Sequence, residues 1–105
     1  MIILFIDMVY PLGVYLGHMN HVKQKLVRRL KIIEGQVRGL QDMLAKDVYC
    51  IDVITQTSAI KQALSGVEDA LMENHLNTCV VHQIQKGKQS VATEEILKVY
   101  RLKRK

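Results

Sequence analysis

This chain is poor in residues that break helices or fill large cores: across 105 residues there is one Pro, one Phe and no Trp, beside four Tyr. With Leu, Ile, Val, Lys and Gln spread evenly, that composition argues for a small all-α domain. Cysteine is scarce too. The two that occur, Cys50 and Cys79, are 29 positions apart with no Cys-x-x-Cys, which argues against a zinc ribbon or a thioredoxin-like motif. There is no Ser/His/Asp arrangement, glycine-rich phosphate loop or convergent carboxylate pair, so an enzyme is not expected. No repeat of solenoid length and no low-complexity tract breaks the chain.

Long hydrophobic runs are confined to the start. Residues 1–17 (MIILFIDMVYPLGVYLG) are apolar but contain Asp7 and Pro11. They lack the basic region of a secretory signal and are too interrupted to span a membrane. The composition then switches abruptly to charged helix. We expect residues 1–18 to be a poorly ordered extension or a mis-assigned start, with Met19-Asn20-His21 opening the domain proper over residues 19–105.

What is present is helical periodicity and positive charge. Over residues 22–46 the apolar positions Leu26, Leu30, Ile33, Val37, Leu40 and Leu44 alternate at spacings of four and three, the pattern of an amphipathic helix with a coiled-coil-like seam. Its outer faces carry Lys23, Lys25, Arg28, Arg29, Lys31 and Arg38 against Glu34 and Asp42. Gly35 and Gly39 each cost about 1 kcal/mol of helix propensity relative to Ala, so they either mark close approach by another backbone or are tolerated surface glycines. A short link follows, with Asp47 expected as an N-cap or first-turn acid.

The seam repeats at Val53, Thr57, Ile60, Leu64, Val67 and Leu71, predicting a second, antiparallel helix reaching about Gln85. Gly87 is expected to stop it. Thr93-Glu94-Glu95 should open a short third helix, and 101–105 is a basic tail. Helices this long in so small a chain pair with another copy. The net charge of +5 points to a polyanionic partner, against the alternative of an ordinary solvated basic surface.

The second helix also carries the chemistry. His75 and Cys79 are four positions apart, so on one helix face a thiolate and an imidazole can share an ion. Cys50 opens the same helix, where the N-terminal partial charge favours a thiolate. At about 1.5 Å per residue, Cys50 and His75 lie on the order of 35 Å or more apart, so one ion could take all three only from an antiparallel second copy. Two thiolates and an imidazole suit Cu(I), with Zn(II), Ni(II) or Co(II) open to a fourth ligand. His18 and His21, ahead of the first helix, are candidates for that fourth position. Each of these residues also has a plainer reading, as a buried small hydrophobe, a register-setting polar interruption or a surface histidine.

The stretch Arg29-Leu30-Lys31-Ile32-Ile33-Glu34-Gly35-Gln36-Val37-Arg38-Gly39-Leu40, with Met43, Tyr49-Cys50-Ile51-Asp52-Val53, Gln56-Thr57-Ser58-Ala59-Ile60 and His75-Leu76-Asn77-Thr78-Cys79, resembles the copper-sensitive operon repressor (CsoR) family over residues 23–102. The resemblance implies a three-helix protomer, an antiparallel four-helix-bundle homodimer that pairs into a homotetramer, and a cytoplasmic repressor without a winged helix. It also implies apo-form binding to operator DNA, released by metal. Carried over by position, Cys50 of one protomer would join His75 and Cys79 of its partner around Cu(I), with Tyr49 and Glu95 behind the ligands. Arg29 matches a basic position implicated in DNA binding, and Arg28, Lys31 and Arg38 extend that surface. Gly66 departs from a basic position that copper members often hold sixteen residues after the first Cys, and Lys61 is the candidate to substitute. The rival readings are a Ni(II)- or Co(II)-responsive relative that adds an N-terminal His, and a metal-buffering protein with no DNA role.

Overall fold

A computed structural model describes residues 20–104 of the chain; the expectation for residues 1–18, with His18, lies outside them. The first helix, α1, runs His21–Ala45. Its start follows from Asn20, whose side-chain oxygen accepts the Lys23 amide at 2.9 Å and so satisfies one of the orphan donors of the first turn. His21 is therefore the first residue of the helix rather than part of an arm leading to it.

Asp47 plays a different role from the one expected. It sits at φ 56, just past Lys46, as the left-handed residue that ends α1. Its amide donates to Leu44 O at 3.2 Å and the Val48 amide to Met43 O at 3.0 Å, the paired bonds of a Schellman motif. The next helix, α2, runs Cys50–His75. Its first turn is bonded to the Tyr49 carbonyl, which accepts from the Asp52 amide at 3.0 Å and the Val53 amide at 3.3 Å.

The link of residues 46–49 turns α2 back along α1, and Leu26 and Ile33 meet Ile60 and Val67 in the buried core. Val22, Leu30, Leu40, Ala63 and Ala70 pack around it half-buried. Only one of the two apolar rows of α2 is used this way. Ile60 and Val67 are covered, but Leu64 and Leu71 stay 41% and 42% exposed. They continue a seven-residue spacing that begins at Cys50 and passes through Thr57.

Beyond α2 the chain forms a π-helical turn, Leu76–Val80, then α3, Val81–Gln85. The predicted second helix is thus helical to its expected end but widened by this turn. Gly87, at φ 73, stops α3 with a second Schellman motif: its amide donates to Ile84 O at 3.0 Å and that of Lys88 to Gln83 O at 2.7 Å. The last helix, α4, runs Gln89–Arg104, starting four residues before Thr93. Glu94 and Glu95 consequently lie in its second turn, and no acid occupies its first. Basic residues Arg101, Lys103 and Arg104 close it, where they complement the helix dipole.

Two compact units meet at the Leu71/Met72 boundary within α2. The first holds the α1/α2 core; the second buries Val80 and Ala92. Among the described residues no helix is long and apolar enough to cross a membrane.

Gly35 and Gly39 are not close-approach sites within this chain: a Cβ on Gly35 would meet only Arg38 Nη2, at 3.8 Å, and one on Gly39 nothing within 4 Å. Gly39→Ala should therefore stabilise the protein by about 1 kcal/mol, whereas Gly87→Ala, forced into a left-handed conformation, should destabilise it by about 1 kcal/mol. Chemical denaturation of the two variants reads both signs.

Candidate metal centre

Cys50 is the first residue of α2 and His75 its last, and Cys79 lies in the π turn that follows. Both cysteines are free thiols on the exposed surface; His75 is half-buried. Two thiols and an imidazole are, by chemical type, a donor set suited to a soft ion of low coordination number. Among the described residues of one chain, no three His, Cys, Asp or Glu side chains converge on a common point. A helix rising about 1.5 Å per residue keeps its two ends, Cys50 and His75, apart.

The π turn alters how Cys79 is presented. Bonds in such a turn run from residue i to i+5 rather than i+4, and π turns recur at functional sites. Thr78, beside Cys79, donates its hydroxyl to Asn74 O at 2.7 Å and lies 3.7 Å from the Cys79 sulfur. Sequence periodicity did not single out Thr78; its place directly before a candidate ligand was the available signal.

Tyr49 is 69% exposed beside Cys50. Glu95, on α4, is also exposed, and its carboxylate accepts from Gln83 Nε2 at 3.0 Å. That bond ties α3 to α4 and gives Glu95 a side-chain partner. The other amide atom of Gln83, Oε1, is buried without a hydrogen-bond partner, as is Gln36 Oε1. Gln83 carried no sequence signal, because a glutamine on a short helix matches no motif.

The basic residues of α1 lie away from the core. Arg28, Arg29 and Arg38 are exposed and Lys31 is half-buried. Arg38 pairs with Glu34 at 3.3 Å, an exposed i,i+4 bridge worth about 0.3–0.5 kcal/mol, weak enough for a phosphate to displace. Lys61 is exposed on α2. At Gly66 a Cβ would meet nothing within 4 Å, so the missing basic side chain there does not reflect lack of room. Near the C-terminus Arg104 stacks over the Tyr100 ring, 5.7 Å from its centroid.

Comparison with known proteins places these features in context. Residues 22–102 match the sequence model of the family described as metal-sensitive transcriptional repressor. The chain is 42% identical to the copper-sensing transcriptional repressor CsoR of Bacillus subtilis over 79 residues, covering 75% of this chain and 78% of that protein. It is 45% identical to the copper-sensing transcriptional repressor RicR of Mycobacterium tuberculosis over 65 residues, or 62% of this chain and 68% of that one. Its fold is similar to the crystal structure of the copper-sensing repressor CsoR with Cu(I) from Geobacillus thermodenitrificans. The TM-score is 0.78 at 39% identity, covering 84% of this chain and 92% of the other.

The Gln83–Glu95 bond makes its own prediction. In a double-mutant cycle with Gln83→Ala and Glu95→Ala, thermal unfolding should return a coupling of about 0.5–1 kcal/mol; zero coupling would mean that solvent replaces the bond at no loss.

Proposed function

The chain belongs to the metal-sensitive transcriptional repressor family, and we propose that within it this protein is a Cu(I)-responsive repressor. It holds operator DNA when metal-free and releases it when the ion binds, derepressing copper efflux genes. It acts in the cytoplasm, as a regulator and not an enzyme.

The observation that carries this reading is the arrangement along α2. Cys50 heads a row at seven-residue spacing, Thr57, Leu64 and Leu71, whose two leucines stay exposed, and the helix that bears the row ends at His75. A second copy laid antiparallel against that row would cover the leucines and bring Cys50 of one protomer toward His75 and Cys79 of the other. The hydrophobic contact and the metal site thus call for the same partner. Dimers of this kind pairing into a tetramer would present two or more α1 faces to one stretch of DNA.

Cu(I) is the ion that two thiolates and one imidazole suit best, and the relatives named as copper-sensing support it. When bound, the ion would bridge two protomers and so favour one arrangement of their α2 helices over another. Tyr49 and Glu95 would stand behind the ligands, orienting them. A Ni(II) or Co(II) sensor would need a further nitrogen ligand, and His21 begins α1 rather than lying on an arm free to reach the site. On the opposite task, Arg28, Arg29, Lys31 and Arg38, with Lys61, would contact phosphates, giving affinity that falls steeply with salt.

Gel retardation with operator DNA under reducing conditions tests the reading. One Cu(I) per protomer should release the DNA, and Cys50→Ala should retain binding while losing the response. Unchanged operator affinity on adding Cu(I) would sink the copper reading; a protein that binds Cu(I) but never retards DNA would be a metal buffer. Loss of DNA binding by metal-free Cys50→Ala would make Cys50 structural.

A further inference from the structure

Thr78 stands out among the threonines of this chain. Thr55, Thr57 and Thr93 each donate to the carbonyl four residues earlier, at 2.8, 2.8 and 2.9 Å, a common habit of helical threonine. Thr78 makes the same bond to Asn74 O at 2.7 Å, but in a different setting. It sits in the π turn, and Asn74 O is the acceptor that the Thr78 amide itself would use in an α-helix. Its hydroxyl oxygen also lies 3.7 Å from the Cys79 sulfur. A hydroxyl has one hydrogen and rotates freely about its C–O bond, so this donor has two acceptors within reach and can serve one fully at a time.

We propose that Thr78 is a positioning residue for Cys79: its hydroxyl serves the Asn74 carbonyl in the metal-free chain and turns to the Cys79 sulfur when that sulfur becomes a metal-bound thiolate. The inference rests on the function proposed above and adds a residue to that site. The physical drive is the change in acceptor strength. A neutral thiol is a weak acceptor, outcompeted by a carbonyl; a thiolate carries charge, and a hydrogen bond to an ionised acceptor is roughly twice as strong as a neutral one. No bond to the ion is made by Thr78. It holds the ligand's sulfur in one orientation and withdraws a little of its electron density, while its β-branch keeps χ1 stiff.

Two substitutions separate the hydroxyl from the shape of the side chain. Thr78→Val keeps the branch and removes the donor; Thr78→Ser keeps the donor and removes the methyl. In the full-length protein, competition with a Cu(I) chelator should show Thr78→Val binding the ion about tenfold more weakly, as loss of a charge-assisted hydrogen bond implies, and Thr78→Ser near wild type. The thiolate-to-metal charge-transfer band should move to lower energy in Thr78→Val alone. Reading that band also with Cd(II), which binds thiolates whatever the natural inducer, keeps the two questions separate. Wild-type protein that takes up Cd(II) but not Cu(I) overturns the copper reading, not the role of Thr78. A Cd(II) band unmoved by Thr78→Val, or moved equally by Thr78→Ser, overturns the role of Thr78.

Discussion

A helix with two rows of core-type positions and, among the described residues, one helix packed along it is the constraint on which this molecule depends. α1 covers Ile60 and Val67 of α2, and the four side chains buried between those helices make a small core by the standards of independently stable domains. In the second row Thr57 is half-buried, and Leu64 and Leu71 are exposed. In the dimer we propose, fold, association and metal chemistry would all depend on α2 and the turn that follows it, because the candidate donors bracket the exposed leucines. Association and ion binding then add to the same free-energy balance, and a ligand that bridges two chains stabilises the assembled form in proportion to its concentration.

The separation of tasks between helices follows from where charge falls. α1 buries one face in the core and turns its arginines outward; α2 carries Cys50 and His75, and the π turn after it carries Cys79. In the function we propose, an ion held by these residues would alter DNA binding by changing how protomers sit together, which is the form of coupling an oligomeric switch requires. The Glu34–Arg38 bridge modestly tempers the positive face without neutralising it.

Much of this was legible in the residues. The four-three spacing located α1 to within a residue at each end, and Gly87 marked the stop of α3 because a left-handed residue after a helix is most often glycine. The candidate ligands stood out by chemical type, since cysteine is rare here and both cysteines, with His75, fall on one predicted helix. Asp47 was misjudged because an acid between two helices suits either an N-cap or, less often, a left-handed C-terminal position, and only the paired amide bonds to Leu44 and Met43 distinguish them. The early start of α4 escaped notice because Gln89 and Ser90 carry no strong capping signal, whereas Thr93-Glu94-Glu95 mimicked one. Hydrogen bonds such as Gln83 to Glu95 depend on how α3 meets α4, which periodicity does not encode.

The π turn at Leu76–Val80 has a further consequence for how such a chain evolves. A π turn is what an α-helix becomes when it absorbs one extra residue without breaking, and each added residue shifts everything downstream by about 100° around the axis. The heptad register that governs α2 up to Leu71 therefore stops being binding after Val80. In the dimer we propose, sequence change in α3 and α4 would be released from the phase that Leu64 and Leu71 keep along α2.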